Sequence, residues 1–233
     1  MSAMSSELQH LRPARPLEFP SSSPEWEVSG SLRHGRLCEL VYQLLARISA
    51  GAHAVGPNQF VYFDAANPKR CLAPDAFLKR GVKPTLFPSW KTWQHGAPEL
   101  CVEILSPSDT EEVLTLENKM ERYRSLGVEE LVLFDADAPA GKRLRVFDRI
   151  EGDLVARLIE GETTPSVVLS TLGAPASFVV APYGEVGDAL RLARDGALIP
   201  SDAEERDTAN EERNAALRRV AELEREIARL KGG

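Results

Sequence analysis

Leu100-Cys101-Val102-Glu103-Ile104-Leu105 is an apolar run interrupted by a single acid. Its length and its lack of polar alternation predict a central strand covered on both faces. Ser108 and Glu111 follow in the S-x-x-E spacing of a capping box, which satisfies the first free amides of a helix. Val113, Leu116, Met120 and Tyr123 mark the buried side of that helix, which runs to about Leu126 and stops at Gly127. Leu131-Val132-Leu133-Phe134 is the next strand and closes at Asp135. Strand, helix and strand in this order form a right-handed parallel crossover by default, so the chain is α/β. A carboxylate inside an apolar strand is costly to bury unless it is paired or metal-bound. Glu103 is therefore the first candidate functional residue.

Working outward, residues 1–27 carry Pro13, Pro16, Pro20 and Pro24 among serines and lack periodicity, which predicts an extended or disordered arm. A helix is expected over Leu32–Ala50, where Leu37, Leu40, Val41, Leu44, Leu45 and Ile48 form one stripe. Phe60–Phe63 reads as a strand, Asn67-Pro68 as a turn, and Cys71–Leu78 as a strand running across Asp75. Pro84–Gly96 reads as a long loop with a short helical turn, its Trp90 and Trp93 better suited to packing than to stacking a base. Arg143–Asp148 and Leu154–Ile159 pair across the Glu151-Gly152-Asp153 turn, and Ser177–Val180 is a last apolar piece. A domain over 28–185, a linker over 186–200 and a coiled-coil helix over 201–233 complete the division. Ala216, Val220, Leu223, Ile227 and Leu230 form the coiled-coil seam. A seam this short is marginal as a free helix, and it predicts a homodimer in preference to a solvated tail.

The 233 residues are 43% hydrophobic, enough to bury a substantial core, and the formal charge is −7. Nine acids and seven bases fall in 201–233, which leaves −5 on the first 200 residues, so no basic domain is hidden by the tail. Any grip on nucleic acid must come from a local groove. Cys38, Cys71 and Cys101 show neither CxxC nor metal-ligand spacing, which suits a reducing, cytoplasmic compartment. His10, His34, His53 and His95 show no ligand spacing either, with His34, near the first helix, a weak exception. Neither a signal segment nor an apolar run of membrane-spanning length is found, so no membrane partner is expected. A Gly-rich phosphate loop is also missing, which disfavours a nucleotide-processing hydrolase.

Chemistry concentrates between Pro74 and Tyr123. Asp75 follows a proline, Glu103 lies in the apolar strand, and Lys119 stands one helical turn before Tyr123. Two acids and a lysine drawn from two strands and a helix are the minimum set for metal-assisted cleavage of a phosphodiester. Strand alternation places Leu105 on the same face as Glu103. Restriction-type phosphodiesterases carry their lysine at that i+2 position, written (D/E)xK. Lys119, at the flank of the covering helix, can reach back over the sheet in its place.

The Pro74-Asp75 dipeptide, then V-E-I-L-S-P-S over 102–108, then K-x-x-x-Y over 119–123, then L-G-V-x-E-L-x-L-F-D over 126–135, resembles the Uma-type restriction endonuclease family. That family belongs to the PD-(D/E)xK superfamily, and in it the lysine has moved to the helix. The likeness covers about Arg33–Val180, and a coiled-coil tail is common among members. It implies a restriction-endonuclease-like mixed sheet flanked by helices and a metal-dependent endonuclease acting on DNA. Asp75, Glu103 and the main-chain carbonyl of Ile104 would offer hard oxygen ligands to Mg²⁺ or Mn²⁺. Lys119 would stabilise developing negative charge, and Glu39 would add an outer ligand, as a first-helix acid does in some relatives. Thr115 departs from the pattern, since the family often has an acid one turn before the lysine. The rival expectation is a catalytically inactive nuclease-fold protein that acts as an assembly module through its tail.

Overall fold

Ser31 begins the first helix, its side chain accepting a hydrogen bond from the His34 amide at 3.1 Å. Helix α1 spans Leu32–Ser49 and ends where Ala50 turns left-handed at φ 48°. The computed structural model describes residues 31–105 and 116–231. The N-terminal arm, Ser108 and Glu111 of the capping box, Val113 and Thr115 lie outside the described residues.

Strands β1 (Ala54–Pro57), β2 (Val61–Tyr62), β3 (Cys71–Leu72), β4 (Ala76–Lys79) and β5 (Trp90–Lys91) lead into the short helix α2 (Thr92–His95). The crossover follows as β6 (Leu100–Leu105), α3 (Leu116–Leu126) and β7 (Glu130–Asp135). Then come β8 (Leu144–Ile150), β9 (Asp153–Ala156), β10 (Thr163–Pro165), β11 (Ala176–Tyr183), β12 (Gly187–Arg194), β13 (Ala197–Leu198) and α4 (Asp202–Lys231).

The central sheet has the order β1-β4-β6-β7-β8-β9. Only β6 and β7 are parallel within it, with Glu103 opposite Leu133, as the crossover requires. Both faces of β6 are covered. Leu100, Val102 and Ile104 join Ala76, Leu78, Val132 and Phe134 in the core around α1. Cys101 joins Phe77, Leu131, Leu133, Trp90 and Tyr123 on the side of α3. The continuous apolar reading of 100–105 is thus the trace of two cores meeting at one strand.

Two expectations need correction. Cys71–Leu78 is not one strand: β3 belongs to a small sheet of order β3-β2-β5, and β4 belongs to the central sheet. Pro74 lies at the break, where it has no amide to give a ladder. Residues 186–200 are not a linker either, because β12 runs through them and pairs along its whole length with β11. Leu190 and Leu192 of β12 enter the same core as α1, so α1 is packed between the central sheet and a four-stranded sheet β10-β11-β12-β13. Arg191 interrupts the apolar residues of β12. It is buried, bonded to Glu204 at 2.7 Å and stacked over the Tyr183 ring.

Helix α4 is anchored at its root. Ser201 and Glu204 exchange amide bonds in a capping box, and Arg47 of α1 pairs with Asp202 and Glu205. Farther out, Leu217, Val220, Leu223, Ile227 and Leu230 are all exposed. Trp90 is wholly buried with its indole N–H on the Gly96 carbonyl, and Trp93 is exposed.

Candidate active site

Strand register brings the two acids together. Ala76 pairs with Val102 in the antiparallel ladder, so Asp75, just before β4, stands next to Glu103 where the ladder ends. Pro74 ends the pairing there, and the carboxylate of Asp75 takes over the ladder's task. Its Oδ2 accepts the Ile104 amide at 2.7 Å. Asp75 is buried, with Oδ1 directed toward α1 and 3.7 Å from His34 Nε2.

Glu103 is buried under α3. Lys119 and Tyr123 are four residues apart and so share one side of that helix. The Tyr123 hydroxyl donates to Glu103 Oε1, and Lys119 Nζ lies 3.2 Å from Oε2. Burial pushes the Glu103 carboxyl up. The Lys119 ammonium opposes this, the Asp75 charge reinforces it, and the Tyr123 hydrogen bond again opposes it. The balance is a value of about 7. Burial beside Glu103 holds the Tyr123 phenol well above its ordinary range, so it remains a neutral donor. Glu103 thus holds its proton to higher pH than an exposed carboxyl would.

The sequence profile of the Uma2 family, described as "Putative restriction endonuclease", matches residues 25–177. The chain belongs to the Uma2 family. A solved structure titled as a "putative nuclease belonging to DUF820", from Anabaena variabilis ATCC 29413, is 12% identical over 61% of this chain and 76% of that one, with a TM-score of 0.41. No curated protein matches the chain.

In this Uma2 protein Lys119 contacts Glu103, Asp75 holds the neighbouring Ile104 amide at the end of the β4–β6 ladder, and Glu39 does not join them. Glu39 is exposed on α1 and accepts a hydrogen bond from Gln43 at 3.1 Å. The preceding residue, Cys38, is the one that turns inward, because each step rotates a helical side chain by about 100°. Cys38 Sγ lies 3.4 Å from His34 Nε2, beside Asp75. In sequence His34 stood out only as a weak exception among the histidines, and Cys38 did not stand out at all. The signal was present as H-x-x-x-C, one helical turn, but it merges with the core stripe of α1. Tyr123 was noted for its spacing, and its bond to Glu103 gives that spacing a purpose.

Cations gather on the flank that carries Lys119. Arg122, one turn on, donates to the carbonyls of Lys69 and Cys71, and the Lys69 and Arg70 side chains are exposed beside it. No helix among the described residues is long and apolar enough to cross a membrane.

Proposed function

We propose that this Uma2 protein is a metal-dependent endodeoxyribonuclease that hydrolyses DNA phosphodiester bonds through Asp75, Glu103 and Lys119. The observation that carries the reading is the contact of Lys119 with a buried Glu103 whose proton affinity is raised by burial and by the Asp75 charge. The Asp75 charge raises the proton affinity of Glu103, and the two carboxylates would hold a divalent cation. The oxygen donors, namely the two side chains and the Ile104 carbonyl, suit Mg²⁺ or Mn²⁺. When bound, such an ion polarises a phosphoryl oxygen and acidifies a coordinated water.

The protein's own residues do the rest. The Ile104 amide fixes Asp75, and Tyr123 fixes one oxygen of Glu103, leaving its other oxygen toward Lys119. With a cation held there, Glu103 would be in its charged form, and the Lys119 ammonium would face the phosphate. There it stabilises the charge that builds on the phosphoryl oxygens as the bond to the leaving oxygen lengthens. Lys69, Arg70 and Arg122 offer contacts to neighbouring phosphates despite the acidic net charge.

The exposed apolar stripe of α4 supports a homodimer formed through the tail. That stripe and the acidic body also favour a second reading, an inactive nuclease fold serving as an assembly module. Plasmid cleavage with Mg²⁺ or Mn²⁺ separates the two. The nuclease reading expects nicking by wild type and its loss in Glu103→Ala and Lys119→Ala. Equal cleavage by all three proteins, or none by a folded wild type, rejects it.

A further inference from the structure

We propose that His34, Cys38 and Asp75 form a binding site for a thiolate-accepting divalent cation, with Zn²⁺ as the fitting ion. The three residues offer one donor each, imidazole nitrogen, sulfur and carboxylate oxygen, all within 4.8 Å of one another. Among the described residues they are the one such group of His, Cys, Asp or Glu side chains. The site shares Asp75 with the cleavage reading but does not depend on it.

The geometry is close to what the ion needs. Tetrahedral zinc with ligands at about 2.0–2.3 Å sets its donors roughly 3.3–3.8 Å apart. His34 Nε2 stands 3.4 Å from Cys38 Sγ and 3.7 Å from Asp75 Oδ1. Two of the three edges therefore already have the required length, and a small rotation of the Cys38 or Asp75 side chain brings in the third.

Each donor is also held in place. His34 and Cys38 project from consecutive turns of α1, a spacing that puts both on one side of the helix. The His34 amide is fixed by the Ser31 cap, and α1 itself is locked by its stripe of buried side chains. Asp75 is tied by Oδ2 to the Ile104 amide, which leaves Oδ1 as the oxygen that faces the other two donors. A ligating carboxylate braced by an amide in this way has the outer support that metal sites generally need.

The donor chemistry selects the ion. Sulfur and imidazole favour zinc and its neighbours, whereas Mg²⁺ takes oxygen. On binding, the Cys38 thiol loses its proton to solvent and forms the metal–sulfur bond, so affinity rises with pH. Three protein donors leave a fourth position for water or a phosphate oxygen, the pattern of an open zinc site. The ion would lie on the α1 side of Asp75, with Glu103 on the α3 side.

The test uses the full chain, stripped with a chelator and studied without DNA. Addition of Co²⁺ is expected to give an intense tetrahedral visible spectrum with a thiolate-to-cobalt charge-transfer band, and Zn²⁺ should erase it while excess Mg²⁺ does not. Cys38→Ser should remove the band, and Cys71→Ser should keep it. His34→Gln should weaken zinc binding in a dye competition by roughly tenfold or more, since even outer-shell changes cost that much. Zinc should also slow alkylation of Cys38 in the wild type, read by mass spectrometry, which decides the matter if a variant fails to fold. Absence of the charge-transfer band in wild type, its survival in Cys38→Ser, or unprotected alkylation overturns the proposal. Zinc binding without cleavage leaves this site standing and rejects the nuclease reading alone.

Discussion

Lys119 Nζ lies 3.2 Å from Glu103 Oε2, so helix α3 delivers the lysine that strand position Leu105 lacks. The pair is asymmetric. Glu103 is fixed from the other side by Tyr123 and is buried, whereas Lys119 keeps part of its side chain in contact with solvent. A lysine on a helix flank can swing toward a substrate more readily than one standing on the strand. This asymmetry underlies the predictions that follow.

Ionising Glu103 should cost the metal-free protein stability. Its value rises from 4.5 to about 7 on folding, so the unfolded chain releases this proton first and stability falls as pH climbs through that window. The shift corresponds to an upper bound of about 3 kcal/mol, reduced by coupling to Lys119. Glu103→Gln should therefore gain melting temperature relative to wild type between pH 5 and pH 8, while losing cleavage. A melting difference that stays flat across this range would reject the assignment.

Lys119→Met should reduce cleavage by roughly 10²-fold or more, the scale of losing one charge-stabilising donor. The ammonium also pulls the Glu103 value down. Its loss should move the rise of residual activity to higher pH. The pH–rate profiles of the two proteins provide the check.

Asp75→Asn and Asp75→Ala should differ in stability and agree in activity. The asparagine oxygen can still accept the Ile104 amide, whereas alanine leaves that buried donor without its acceptor. The difference should be about 1–3 kcal/mol by denaturant titration. Both variants should lose metal-dependent cleavage.

Truncation after Thr208 should turn a dimer into a monomer without unfolding the body. The cut keeps Ser201, Asp202, Glu204 and Glu205, which bind the root of α4 to the domain. It removes the exposed stripe from Leu217 to Leu230. Sedimentation of both proteins measures the change, and a monomeric full-length chain would defeat the prediction.

The crossover was legible because β6 and β7 are buried on both sides, which leaves long apolar runs. Glu103 stood out as the one acid in such a run, and the spacing of Lys119 and Tyr123 marked one side of α3. The second sheet was hidden. Arg191 interrupts β12 in sequence, and its partner Glu204 lies on the tail, beyond the reach of any local pattern. The pairing of His34 with Cys38 was hidden for another reason: a four-residue spacing on an amphipathic helix is also the spacing of its core. Glu39 misled because helix phase, not distance along the chain, decides which neighbour of Cys38 faces inward.

The bond between Asp75 and the Ile104 amide bears on how a nuclease built this way could lose its activity over evolutionary time. An acid that closes the end of a β-ladder is retained by selection for folding alone, whether or not anything is cut. Glu103 has the opposite status, because a buried carboxyl forced to titrate near neutrality is a burden that drift would relieve with any neutral side chain. A descendant that had abandoned catalysis would thus keep the aspartate and shed the glutamate. On the proposed nuclease reading, persistence of Glu103, rather than of the Pro-Asp dipeptide, would mark a lineage selected to cut.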